Sequence, residues 1–85
     1  MAKIEIYTTP ICPFCIRAKA LLKKKGVFFK EYNVMMDRAK RSEMEQRSGG
    51  YTVPQIIIDG KAIGGCDELF ELDFDGDLNA MIGVA

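Results

Sequence analysis

The sequence predicts an α/β fold: a four-stranded mixed sheet in the order β-α-β-α-β-β-α, flanked by helices. Three observations carry that prediction. A polar–apolar alternation at Lys3-Ile4-Glu5-Ile6-Tyr7 is followed by a helix-period segment and then by a Val-, Phe- and Tyr-rich run from Val27 to Val34. This is a βαβ unit, whose two strands run parallel. Asp59-Gly60 stands between two short apolar runs and marks an antiparallel hairpin. Finally, 85 residues that are 48% hydrophobic and 28% charged fit a single domain, residues 1–85, with a small core.

Each element has its own local signal. Residues 3–7 read as a strand with one buried face, and Thr8-Thr9-Pro10-Ile11 as a loop. From Pro13 to Lys25, Phe14, Ala18, Leu21 and Leu22 fall at i, i+4, i+7 and i+8 on one helical face. Lys23, Lys24 and Lys25 complement the negative end of that helix and Gly26 stops it. Val27–Val34 is the second strand. Asp37 is placed to cap a helix over Arg38–Arg47. That helix carries few apolar residues, chiefly Ala39 and Met44, and is expected on the outside. Ser48-Gly49-Gly50 ends it. Gln55-Ile56-Ile57-Ile58 is a short, strongly apolar strand, and Lys61-Ala62-Ile63 pairs with it across the hairpin. Gly64-Gly65 forms a tight bend before a helix beginning near Cys66 or Asp67, with Leu69, Phe70 and Leu72 on its apolar side. Leu78, Met81 and Ile82 suggest a last helical turn docked on the body.

Charge and targeting signals exclude several classes. The net charge is zero, so nothing global favours nucleic acid or an acidic membrane. Ten of the twelve Lys and Arg lie in residues 1–42, and nine of the twelve Asp and Glu in residues 43–85. Mutual attraction of the two halves accounts for this; the alternative is a basic surface near Cys12 that draws anionic partners. No stretch has the roughly 20 apolar residues of a membrane span, and the start of the chain lacks a signal-peptide run. Three cysteines are an odd number for a disulfide scaffold. The expectation is a cytoplasmic protein, in whose reducing surroundings a CxxC pair is catalytic, redox-sensing or metal-binding rather than structural.

The chemistry centres on Cys12-Pro13-Phe14-Cys15, at the junction of a strand and a helix. A helix start leaves backbone N–H groups without partners, and these favour negative charge. A cysteine there has its thiolate stabilised, with a pKa that falls from about 8.5 into roughly the 3.5–7.5 range. Pro13 suits the first helical position, where a missing N–H costs nothing. Two intervening residues leave the second sulfur within disulfide reach. The pair reads as a reversible dithiol, Cys12 attacking and Cys15 resolving. A CxxC beside a βαβ unit is also the thioredoxin-like signal.

Three motifs, Cys12-Pro13-Phe14-Cys15, Thr52-Val53-Pro54 and Gly64-Gly65-Cys66-Asp67, together with Arg17-Ala18-Lys19-Ala20-Leu21-Leu22, resemble the glutaredoxins, in particular the small dithiol type of bacteria. The similarity spans nearly the whole chain. It implies the thioredoxin-like fold and a glutathione-dependent thiol–disulfide oxidoreductase. It also implies a glutathione site. Val53-Pro54 matches the family's cis-proline loop, where the Val53 backbone pairs with a peptide main chain and Thr52 lies alongside. The N–H groups of Cys66 and Asp67 hold the glutamyl carboxylate, and the Asp67 side chain accepts from the ammonium. Arg41 stands where relatives hold the glycyl carboxylate. Phe14 replaces the tyrosine usual between the Pro and the second Cys, and keeps its aromatic surface. Thr9 stands where relatives often have a lysine. Read alone, Asp67 is an N-cap, Arg41 a solvated helix residue and Cys66 a small buried hydrophobe.

Glutathione is thus expected as co-substrate, with no metal. The expected partners are glutathionylated or disulfide-bearing proteins, ribonucleotide reductase being one the resemblance implies, and the protein is expected to be a monomer. One rival is a thioredoxin-like electron donor recharged by a flavoprotein reductase. Another is a protein that shares a glutathione-ligated [2Fe–2S] cluster between two chains. A lone CxxC without histidine is half of a zinc site at most.

Overall fold

A computed structural model describes residues 2–83 of the chain. Met1, Val84 and Ala85, included in the single-domain expectation, lie outside the described residues. Eight elements follow in order: β1 (Ile4–Thr8), α1 (Pro13–Lys24), β2 (Lys30–Asn33), α2 (Arg38–Ser48), β3 (Gln55–Ile58), β4 (Lys61–Gly64), α3 (Cys66–Phe74) and α4 (Asp77–Ile82). The strands form one sheet in the order β2-β1-β3-β4. β1 runs parallel to β2, with Ile6 opposite Glu31, and antiparallel to β3, with Ile6 opposite Ile56. β4 pairs antiparallel with β3, with a register irregularity between Ile56 and Ile57. The expected mixed sheet is present, and the last helical turn is a separate six-residue helix behind Gly76, whose φ is +82°.

The period-two alternation of a strand sorts side chains onto two faces. Ile4, Ile6, Ile56 and Ile58 meet Ala18, Leu21 and Leu22 of α1, Cys66 and Leu69 of α3, and Leu78 and Ile82 of α4. Tyr7 and Ile57 point the other way, onto Val34 and Met44. Burying a Leu- or Ile-sized side chain contributes roughly 1.5–3 kcal/mol, so the first layer supplies most of the hydrophobic stabilisation.

Two expectations need correction. β1 is buried on both faces, not one: all five of its residues are buried, Glu5 among them. The second strand covers Lys30–Asn33 rather than Val27–Val34, because only those residues pair with β1. Val27 and Phe29 pack on the core from irregular backbone, and Phe28 is exposed. α2 lies on the outside as expected, with Met44 its one buried residue. It covers the second sheet face through Met44, which has no exposed surface, and through Arg47. The Arg47 Nη1 and Nη2 donate to Glu5 Oε2 and Oε1 at 2.8 Å each, and Nη1 also donates to the Tyr7 hydroxyl at 2.9 Å. Tyr32 donates to Glu5 Oε2 at 2.9 Å. A carboxylate taken out of water needs such partners.

Asp37 caps α2 as expected: its carboxylate accepts from the Lys40 N–H at 2.9 Å. Asp37→Ala should therefore lower stability by about 1 kcal/mol. For a chain of this size that is a fall in Tm of roughly 4–8 °C, measurable by calorimetry.

Candidate active site

α1 begins immediately after Cys12, which is its N-cap. The first intrahelical bond runs from the Ile16 N–H to the Cys12 carbonyl at 3.1 Å. Pro13 has no N–H, so the amides of Phe14 and Cys15 are the donors left over at the helix start. Cys12 is partly exposed, and Cys15 is completely buried. Both are free thiols, as is Cys66.

The two sulfurs of the motif have opposite electrostatic fates. Burial disfavours charge on Cys12, but the Cys15 N–H, the Cys15 thiol and the Phe14 N–H outweigh it, and its pKa falls below the ordinary cysteine value. At Cys15 burial dominates. The Thr9 N–H opposes it, the neighbouring Cys12 reinforces it, and the thiol is pushed up to about 11. One sulfur is therefore more readily ionised than an ordinary cysteine, and the other is kept protonated. In the thiol form Cys12 Sγ donates to the Val53 carbonyl at 3.8 Å, which brings the 52–54 loop against the reactive sulfur.

The Val53–Pro54 bond is cis, as expected. A groove of about 320 Å³ opens beside that loop. It is lined by Phe14, Thr52, Val53, Pro54, Gly65, Cys66, Asp67 and Glu68. Six of the residues singled out in the sequence are thus gathered around one cavity next to Cys12. Phe14 is half exposed at its rim. Arg41 stands apart: it donates to the Tyr51 carbonyl at 3.4 Å and lines a neighbouring cavity with Val34, Met35 and Met36.

The far wall of the groove is the start of α3. Gly64 has a φ of +108°, and a Cβ there would fall 2.7 Å from the Glu68 side chain. A Cβ on Gly65 would sit 3.1 Å from the Pro54 carbonyl, so glycine lets the helix approach the loop closely. The first intrahelical bond of α3 is Leu69 N–H to the Gly65 carbonyl at 3.0 Å. The N–H groups of Cys66, Asp67 and Glu68 precede it and are free to meet an anion. Asp67 is exposed beside them. Cys66 itself is 4% exposed, and burial raises its thiol pKa. Its side chain belongs to the core, while its backbone faces the groove.

Sequence reasoning missed two features. Glu68 accepts from the Gly65 N–H at 2.6 Å and so fixes the bend; the i, i+3 spacing of a capping box is the signal that finds it. A polar cluster of Thr8, Lys19 and Glu31 lies below the dithiol helix. Only strand pairing brings Glu31 there, and no local pattern announces it.

Comparison with known proteins agrees with this geometry. The Glutaredoxin family model matches residues 4–63. The chain is 55% identical over 82 residues to glutaredoxin 3 of Escherichia coli, covering 96% of this chain and 99% of that one. A solution structure of glutaredoxin from Brucella melitensis is 45% identical, with a TM-score of 0.84 over 96% of this chain and 89% of that one. A crystal structure of a buckwheat glutaredoxin–glutathione complex is 28% identical, with a TM-score of 0.88 over 99% of this chain and 83% of that one.

Proposed function

The chain belongs to the glutaredoxin family and is a thiol–disulfide oxidoreductase, and from that premise we propose that glutathione is its reductant and that Cys12 is the attacking thiolate. The observation that carries this reading is the position of the Cys12 sulfur: at the amide end of α1, with lowered pKa, touching the Val53 carbonyl at the mouth of the groove. The relative bound to glutathione adds support.

In this reading the tripeptide lies along the groove. Its cysteinyl main chain pairs strand-fashion with the Val53 N–H and C=O, beside Thr52 and Pro54. Its glutamyl carboxylate meets the N–H groups of Cys66 and Asp67, and its ammonium meets the Asp67 carboxylate. Arg41 serves the glycyl carboxylate, and the Phe14 ring covers one side.

The reaction is a pair of sulfur exchanges. The Cys12 thiolate attacks the glutathione sulfur of a protein–glutathione mixed disulfide. The Cys12–glutathione bond forms, and the protein leaves as thiolate and takes a proton. A second glutathione thiolate attacks that bond, giving oxidised glutathione and free Cys12. With a protein disulfide, Cys12 forms a mixed disulfide with the protein, and Cys15 then attacks Cys12 and expels the remaining protein thiolate. Two glutathiones reduce the resulting Cys12–Cys15 bond. Such a cycle suits a cytoplasmic monomer that serves glutathionylated and disulfide-bearing proteins, ribonucleotide reductase among them. Among the described residues no helix is long and apolar enough to cross a membrane.

The test joins two measurements. Alkylation of Cys12 followed against pH is expected to rise with pH through a midpoint below that of free cysteine, because the thiolate is the reacting form and the fold favours it. Reduction of a glutathionylated peptide is expected to need glutathione. Equal turnover with a flavoprotein thioredoxin reductase and no glutathione would overturn the choice of reductant.

A further inference from the structure

The groove accounts for substrate binding and for the first exchange, but not for how a fully buried thiol is made to react in the second. Cys15 has no exposed surface and is held protonated, its pKa pushed up to about 11. Yet it must give up its proton before it can attack. The chain supplies one cation on the same helical face. Lys19 is four residues after Cys15 in α1, hence one turn further along the same face. Its side chain is largely buried, 22% exposed, and its ammonium donates to Glu31 Oε2 at 2.8 Å. Glu31 stands on β2 opposite Ile6 and so faces α1. The same Oε2 accepts from Thr8 Oγ1 at 2.7 Å, and Thr8, itself 1% exposed, precedes the Thr9 whose N–H faces the Cys15 sulfur. Thr8 thus steadies the carboxylate that holds Lys19.

We propose that Lys19, held by Glu31, which Thr8 in turn supports, is a positioning residue for the resolving step: its ammonium stabilises the Cys15 sulfur as an anion once Cys12 is tied up in a mixed disulfide. This rests on the function proposed above. The charges that reach Cys15 are those of Cys12 and Lys19 on its own helix, and behind Lys19 those of Glu31 and Lys23. β1 and the residue after it contribute the Thr8 hydroxyl and the Thr9 amide, without charge.

The arrangement also orders the two steps. While Cys12 is free, its sulfur raises the barrier to ionising Cys15, both by charge and by hydrogen bonding. Forming a disulfide at Cys12 neutralises that sulfur. The opposing influence disappears, and the Thr9 N–H and Lys19 remain. Cys15 then loses its proton to solvent and attacks Cys12. The Cys12–Cys15 bond forms, the bond from Cys12 to the substrate sulfur breaks, and the departing thiolate carries away the electron pair. No further oxidant or reductant is needed.

The test is stopped-flow mixing of the reduced protein with an aryl disulfide whose thiolate absorbs visible light. The first release reports attack by Cys12 and the second reports resolution by Cys15; Cys15→Ser, which lacks the second release, identifies it. Lys19→Met is expected to move the pH midpoint of the second release upward by about one unit and to slow it up to about tenfold at pH 7, leaving the first release unchanged. Lys19→Arg should restore it. A second release in Lys19→Met that superposes on the wild type, or equal slowing of both releases, would overturn the inference. Wild-type protein that gives no first release dependent on Cys12 would instead overturn the underlying function, and this inference with it.

Discussion

Replacing Cys12 with serine is expected to reduce turnover of a glutathionylated peptide to the uncatalysed background, while Cys15→Ser retains it. Serine keeps the shape of the side chain but its hydroxyl is not ionised near neutral pH, so the amides of Phe14 and Cys15 have no anion to stabilise. The Cys15 thiol cannot substitute. It has no exposed surface, and with a pKa pushed up to about 11 it is about one part in ten thousand ionised at pH 7. Cys15→Ser loses only the internal resolving thiol, so mixed disulfides with glutathione are still exchanged while reduction of protein disulfides falls. A glutathione-coupled assay with the two substrates separates these outcomes. Activity surviving in Cys12→Ser would refute the role given to that sulfur.

The largest effect on stability is expected away from the site, at Arg47→Leu. Its loss strands Glu5, which is 3% exposed on the central strand with only the Tyr32 hydroxyl left to support it. Breaking a buried pair in this way costs about 3–5 kcal/mol, or a fall in Tm on the order of 12–40 °C for a domain of this size. The effect should depend on pH in a defined direction. Hydrogen bonds from Arg47, opposed by burial and joined by Tyr32, hold the Glu5 pKa at about 2 against an ordinary 4.5. A carboxyl with a lowered folded-state pKa stabilises the fold above its unfolded pKa and loses that contribution as pH falls through the folded one. The wild type should therefore lose on the order of 3 kcal/mol between about pH 5 and pH 2 from this group. In Arg47→Leu the unpaired, buried Glu5 favours its protonated form instead. The gap between the two proteins should close as pH falls, which urea titrations at pH 7, 5 and 3 can follow. A gap that stayed constant would refute the assignment.

The same pair shows where reading the chain reaches its limit. Glu5 sits at a polar position in an alternating strand, and that pattern ordinarily means a solvated face. α2 contributes one buried apolar residue, Met44, so its periodicity gives no reason to seat it on the sheet. One contact explains both. Forty-two residues separate Glu5 from Arg47, and the ion pair that joins helix to sheet exists only once both are folded. The second strand was overextended for a related reason. Phe, Val and Tyr favour strands, but whether residues 27–29 join the ladder depends on the reach of β1.

The features legible from residue order are local. The strand alternation, the helix face of α1, the Asp37 cap, the Asp-Gly hairpin and the placement of Cys12 at a helix start all depend on residues within a turn or two of one another, where backbone geometry leaves few choices. Tertiary structure alone decided which distant groups share a low-dielectric volume. It brought the Val53 carbonyl to Cys12, set α3 against Pro54 across two glycines, and placed Glu31 beside Lys19, below a sulfur sixteen residues earlier in the chain. Charge interactions weaken with distance and with water between the partners. Their strength is therefore fixed by burial and separation in space, and neither is written in the order of the residues.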